Sequence, residues 1–381
     1  MKKNFKHKLK SIFTSAFFLS IISSAVVLFV LFSIFPKFFG FSVSYHISMV
    51  EKILQKNKMV LPALDIVAYE NKLNELANNT LPEPSTKIVS NAKTGEKTTI
   101  VVQPDPVKSI WPVKTVYPNA GAILPFKRII AYYGNLYSTK MGILGEYPEA
   151  EMTAKLKAEV KKWTEADPGT PAIPALHYIA VVAQVAAGDD GKYRARMPNT
   201  EIDKVLKMAE KINALVFLDL QVGFSTLQSE IPVFEKYFKM PNVHLGVDPE
   251  FSMKNGIRPG KVVGTFDATD INYAANYLAK LVKENNLPPK ILIVHRYTQK
   301  MLTNYNLIKP LPEVQIVVHM DGWGGVAKKL GTYRNFIYPE PVQFTGFKIF
   351  YKNDILTPGS SLMTPSDVLK LNPKPIYIQY Q

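Results

Sequence analysis

Leu215-Val216-Phe217-Leu218-Asp219-Leu220-Gln221 and Val243-His244-Leu245-Gly246-Val247-Asp248-Pro249-Glu250 are two short apolar runs that both end in polar groups. They flank a helical stretch within residues 213–251, and most of the chain after residue 126 reads as further copies of this strand, helix and strand. Side chains in a strand alternate faces, so Asp219 shares a face with Gln221 and Asp248 shares one with Glu250, while Val243, Leu245 and Val247 point the other way. A dry outer face with a polar inner end is the pattern of an α/β barrel, in which helices cover the outside and function sits where the strands terminate.

Working outward from that unit, strands are expected at 128–134, 175–182, 291–295, 314–319, 344–350 and 375–380, giving eight with the two above. Helices are expected at 148–166, at 199–212 behind an N-cap at Asn199, and at 270–285. Strands alternating with helices imply a parallel sheet, and eight imply closure. The predicted fold is therefore a (β/α)8 TIM-type barrel over residues 126–381, close to the roughly 250 residues such a barrel needs. No helix follows the last strand, and the stretch 64–77 is the candidate to cover it.

Upstream, residues 12–35 are almost wholly apolar, and about twenty such residues suffice to cross a bilayer. The lysines of segment 1–11 hold the N-terminus in the cytoplasm, so the expectation is a single-pass signal-anchor in the cell membrane with the barrel outside. Residues 36–80 hold two amphipathic stretches, 47–58 and 64–77, read as juxtamembrane helices. Residues 81–125 form a proline-rich spacer, too rich in proline to sustain a helix, with Trp111 as its anchor on the barrel.

The net charge is +15, but its densest part belongs to the anchor. The rest forms no basic stripe with interleaved aromatics, so no nucleic-acid partner is expected. The absence of cysteine excludes disulfides and thiolate metal sites.

Taking the inward phase as the one that leaves aliphatics outside, the strand ends offer Tyr132, His177, Asp219, Gln221, Asp248, Glu250, His295, His319, Asp321, Lys348 and Gln379. In the fifth strand, Arg296 is the alternative to His295. Trp323, set among glycines, suits a site mouth. A barrel with no ligand has little reason to end its strands in polar residues, since each buried polar group costs free energy unless partnered. Paired carboxyls push one pKa upward, which suits a general acid. Three of the four histidines of the barrel lie at strand ends, yet no His-x-His or His-Glu-x-x-His pair occurs, so no metal and no cofactor are expected. Phosphate-loop and Gly-x-Ser-x-Gly motifs are also missing.

At Asp248 and Glu250 the chain resembles the Asp-x-Glu on the fourth strand of chitinase-like and lysozyme-like barrel glycosidases. That resemblance implies Glu250 as the acid and Asp248 as the residue orienting its neighbours. Across roughly 61–381 the chain also resembles a family of exported bacterial proteins, through 216–228, 243–253, 319–325 and 339–348, which implies an envelope location. The expected function is a membrane-anchored hydrolase of envelope or extracellular polysaccharide, with Glu250, Asp248 and Asp219 as its carboxyls and the other strand-end residues binding substrate. A non-catalytic glycan or envelope-ligand binder and a metal-dependent hydrolase are the alternatives.

Overall fold

In the computed structural model, which describes residues 61–79, 85–90, 97–102 and 109–381, the apolar runs become eight parallel strands. These are β1 (Arg128–Gly134), β2 (Ala172–Ala183), β3 (Leu215–Leu220), β4 (Val243–Val247), β5 (Lys290–Arg296), β6 (Val314–Met320), β7 (Phe344–Ile349) and β8 (Tyr377–Tyr380). Each pairs with the next, and β8 pairs with β1 through Tyr377 opposite Ile129 and Tyr380 opposite Tyr132, so the barrel closes. Closure leaves no free edge, so each strand's backbone polar groups have a neighbouring ladder to bond. A bulge between Ile179 and Val181 shifts the register of β2 against β3 near the functional end.

The helices follow from their apolar spacing and their caps. Helix α2 (Glu149–Ala166) buries Met152, Leu156 and Trp163, with Glu149 and Glu151 in its first turn, where the helix dipole favours acids. Helix α3 (Asn199–Glu210) is capped one residue earlier than expected, by Pro198 rather than Asn199, and ends two residues short of 212. Helix α4 (Ala268–Asn285) opens on a capping box of Asp267 and Asp270 and ends at Asn286, whose φ of 49° stops it. Helix α5 (Val326–Thr332) runs into a π-helical turn at Tyr333–Ile337, and α6 (Pro365–Val368) is a single capped turn. The crossover from β3 to β4 is not one helix. It breaks into Leu227–Glu230, a 3-10 turn at Ile231–Phe234 and Glu235–Phe238, since Pro232 has no N–H to give and cannot sit in a continuous helix.

The stretch expected to cover the last strand does something else. Helix α1 (Ile66–Ala77) places Tyr69, Leu73 and Leu76 in one buried cluster with the lower inward residues Ile129, Ala131, Ala175, Phe217, Ile293 and Val317. It therefore plugs the N-terminal end of the barrel. The outer face of β8 is covered by α2 and α6, with Trp163 Nε1 donating to Tyr380 Oη at 2.9 Å and Val368 packed in the same outer core as Ile378. An apolar stripe on one helix tells that it must be buried, but not against which surface.

In the proline-rich stretch, Ser85–Ser90 and Lys97–Val102 pair as an antiparallel hairpin. Trp111 is buried and donates its indole N–H to the Tyr338 carbonyl at 2.9 Å. The anchor expected at 12–35 and the amphipathic stretch at 47–58 lie outside the described residues. Among the described residues no helix is long and apolar enough to cross a membrane.

Candidate functional site

The inward side chains divide by depth. Below lie the apolar residues that α1 seals, and above them is a layer of histidines and carboxylates. His177 on β2 stacks on Phe217 with ring centroids 5.3 Å apart. Its Nδ1 lies 2.5 Å from Tyr377 Oη and 3.1 Å from Gln379 Nε2. Asp219 on β3 accepts a hydrogen bond from Tyr133 Oη at 2.9 Å through Oδ2. Its Oδ1 faces His177 Nε2 at 3.3 Å and His295 Nε2 at 3.5 Å. The other side of His295 meets Asp321 Oδ2 at 2.7 Å, and Asp321 Oδ1 holds Lys348 Nζ at 2.8 Å. His319 is fully buried, with both ring nitrogens unpartnered.

Two glycines make this layer possible. A Cβ on Gly246 would sit 2.4 Å from His177 Nε2 and 2.6 Å from Asp219 Oδ1, and one on Gly346 would sit 2.5 Å from His319 Nδ1. Gly246 thus gives up its share of the barrel interior to side chains from β2 and β3.

Above the layer opens a cavity of about 650 Å³, at the C-terminal ends of the strands, where barrels of this kind carry their sites. Its walls include Tyr133, Gln221, Asp248, Glu250, Asp321 and Lys348, with Phe251, Tyr297, Phe336 and Phe350 among the aromatics. Trp323 is half exposed at its edge, with the Lys328 ammonium 4.4 Å from the ring centroid. The Asp321 N–H bonds the Arg296 carbonyl at 3.0 Å, and the Asp248 N–H bonds the Leu220 carbonyl at 3.2 Å. Both acids are therefore tied to neighbouring strand ends.

Three sequence expectations are corrected here. Tyr132 points outward, hydrogen-bonded to Tyr351 Oη at 3.2 Å and packed against Tyr380; Tyr133 faces in instead. From Ile129 to Tyr133 both faces of β1 are buried and apolar or aromatic, so no alternation marks the inner one. Arg296 also points outward, paired with Glu340 at 2.6 Å, and His295 takes the inward place. Finally, Asp248 and Glu250 do not share a strand face. β4 stops at Val247, and Pro249, which cannot donate to the ladder, starts a 3-10 turn that Asp248 caps by accepting the Glu250 N–H at 3.0 Å.

Of the residues proposed as ligand-binding, Gln221, Asp321, Trp323 and Lys348 line the cavity, as do Asp248 and Glu250. His177, His295, His319 and Gln379 are wholly buried beneath it, and so is Asp219. Sequence reading missed Tyr133 and Tyr297. Tyr297 was legible as the residue two beyond His295 in the same phase; Tyr133 had no local signal.

The electrostatics separate these acids. Burial raises the Asp219 carboxyl, but His295 and His177 against it outweigh burial and hold it well below the ordinary range. Asp321 is likewise held low against burial, by Lys348 and His295. His295, between two carboxylates that outweigh its burial, is pushed up to about 10. Burial drives His177 down to about 4 despite the same Asp219. The ring with two acidic partners is thus the one whose protonated form is favoured. Asp248 is pushed well above the usual carboxylate range, first by burial. Glu250 is raised by burial and then by the negative charge of Asp321, with Tyr297 opposing.

No family model and no curated protein matches this chain. Among solved structures it is similar to "Cellulase Cel5C_n", at 14% identity and a TM-score of 0.33, over 58% of this chain and 65% of that one. It is also similar to "Alkaline cellulase K catalytic domain", at 10% identity and a TM-score of 0.36, over 80% and 83%. A third is a Burkholderia cenocepacia dihydropteroate synthase complexed with 7,8-dihydropteroate, at 10% identity and a TM-score of 0.32, over 68% and 86%. The chain thus spans less than two thirds of the first of these structures. Similarity at this level assigns neither a family nor an activity.

Proposed function

We propose that the chain is a glycan hydrolase in which Glu250 is the general acid. The observation that carries this reading is that Glu250, raised toward its protonated form, and Asp321, ion-paired with Lys348, open into one cavity edged by a half-exposed Trp323. A carboxyl raised toward its acid form and one held ionised by an ion pair, both opening into one cleft, supply the two functions that glycosidic cleavage needs. A sugar ring rests on Trp323. Glu250 gives its proton to the glycosidic oxygen as the bond to the anomeric carbon breaks, and Asp321 stabilises the positive charge that develops there. Water then adds its oxygen to that carbon and returns a proton to Glu250. Asp248 fixes the turn that carries Glu250 through the backbone bond already described. Asp219, below the floor, acts by holding Tyr133 and the histidines.

Both Asp321 oxygens are already engaged, by His295 and Lys348, and this favours as a second reading a glycan binder that does not turn its ligand over. The site of action follows the sequence: segment 12–35 anchors the chain in the membrane with the barrel outside, in reach of envelope or extracellular polysaccharide. Protease added to spheroplasts should then cut the C-terminal domain without lysis.

The test is to incubate the full chain in detergent with a polysaccharide panel and assay new reducing ends. Glu250→Gln keeps the shape and removes the proton, so turnover should vanish while ligand affinity and thermal stability persist. An activity that survives this substitution overturns the role of Glu250. Binding with no new reducing ends on any substrate supports the binding reading.

A further inference from the structure

Beneath the cavity, three ligand atoms from three strands converge without hydrogen-bond partners: His177 Nε2, Asp219 Oδ1 and His295 Nε2, all on fully buried residues. We propose that these three atoms form a binding site for a divalent first-row transition metal, independent of any glycan chemistry above it.

The spacing points to a metal. A hydrogen bond from imidazole to carboxylate is expected at about 2.7–3.2 Å, whereas Asp219 Oδ1 stands 3.3 Å from one Nε2 and 3.5 Å from the other. Ligands held about 2.0–2.2 Å from one tetrahedral ion are separated by roughly 3.3–3.5 Å. All three atoms lie within 4.8 Å of one another. Leaving such atoms buried and unpartnered is costly, and an ion at their centre would satisfy all three at once.

The surroundings orient each ligand from behind. Tyr133 occupies Asp219 Oδ2 at 2.9 Å, leaving Oδ1 for an ion. Asp321, itself held by Lys348, receives His295 Nδ1–H at 2.7 Å and so aims Nε2 inward, where an ion would take the place of the proton on that nitrogen. Tyr377 meets His177 Nδ1 at 2.5 Å. Gln379 Nε2 lies 3.1 Å from the same nitrogen, and the His295 Nδ1–H to Asp321 bond is the one metal-bound histidines characteristically make. On the strand between β3 and β5, Gly246 keeps the space free, since its Cβ would fall against both His177 Nε2 and Asp219 Oδ1. Two imidazoles and one carboxylate select zinc, cobalt, iron or manganese over magnesium and calcium, which take oxygen ligands.

The experiment uses the untagged full chain in detergent, stripped with chelator, then given Co²⁺ or Zn²⁺ and desalted. Expected are a single retained equivalent per chain, the visible absorption of low-coordinate Co²⁺, and a rise in melting temperature with Zn²⁺ but not with Mg²⁺. His177→Gln and Asp219→Asn should abolish retention, and Asp321→Asn should weaken binding by about 10–100-fold. If the wild type retains no metal and does not change its melting temperature, the site does not exist. Equal retention by folded His177→Gln and Asp219→Asn proteins would place the ion elsewhere and overturn the assignment. Should those variants not fold, the wild-type stoichiometry and Co²⁺ spectrum decide alone.

Discussion

Replacing Gly246 by Ala tests the histidine–carboxylate layer directly. The added Cβ would lie 2.4 Å from His177 Nε2, 2.6 Å from Asp219 Oδ1 and 2.8 Å from His177 Cε1, where non-bonded atoms settle at about 3.5–4.0 Å. Something must therefore move by about 1 Å in a closed barrel whose neighbouring side chains are wholly buried. Overpacking of this kind costs about 1–3 kcal/mol. Driving His177 from a buried carboxylate adds about 1–3 kcal/mol, for a total of about 2–6 kcal/mol. The assay is denaturant unfolding of the full chain in detergent, with Gly331→Ala as control. Gly331 lies in α5 with nothing within 4 Å of its would-be Cβ, so Ala there should stabilise by up to about 1 kcal/mol. A Gly246→Ala protein within about 0.5 kcal/mol of wild type would refute the reasoning. In the double variant Gly246→Ala/His177→Ala the atom in closest conflict is gone, so its cost should be smaller than the sum of the singles.

If hydrolysis is found, its rate should fall as pH rises through the pKa of Glu250, because the acid must be protonated to act. Since burial and Asp321 raise that pKa, the falling limb should lie above that of an ordinary glutamate, and a pH–rate profile with its limb at or below that position would count against the assignment. Trp323→Ala should weaken glycan binding roughly tenfold, from about 1.4 kcal/mol of lost ring contact, with little change in thermal stability because the ring is half exposed; unchanged affinity by calorimetry would remove Trp323 from the site. Lys290 is buried, donates to the Val243 carbonyl at 2.9 Å, and is lowered by burial to about 7. The unfolded chain binds more protons here between that value and the ordinary lysine range, so stability should rise by about 2–3 kcal/mol from pH 7 to 9 through this group alone. Lys290→Met should flatten that rise, and parallel pH–stability curves for the two proteins would contradict it.

The barrel was legible in the sequence because its evidence is local. Apolar runs such as Val243 to Val247 alternate with helical spacings such as Met152, Leu156 and Trp163, and those periods imply parallel strands under helices. The polar strand ends were legible too, and Gln221, Asp248, Asp321 and Lys348 do reach one cavity. Depth and phase were decided only by the tertiary structure. Tyr132 and Tyr133 look alike from the sequence, since a strand buried on both faces carries no polar alternation to mark its inside. Asp219 and Asp321 each follow an apolar run, yet Asp219 is sealed under the floor while Asp321 lines the cavity, because the stagger of neighbouring strands sets height along the barrel axis. Whether α1 lies outside β8 or under the barrel likewise depends on which apolar surface remains uncovered once all eight strands have closed, a property of the assembled chain and of no single stretch within it.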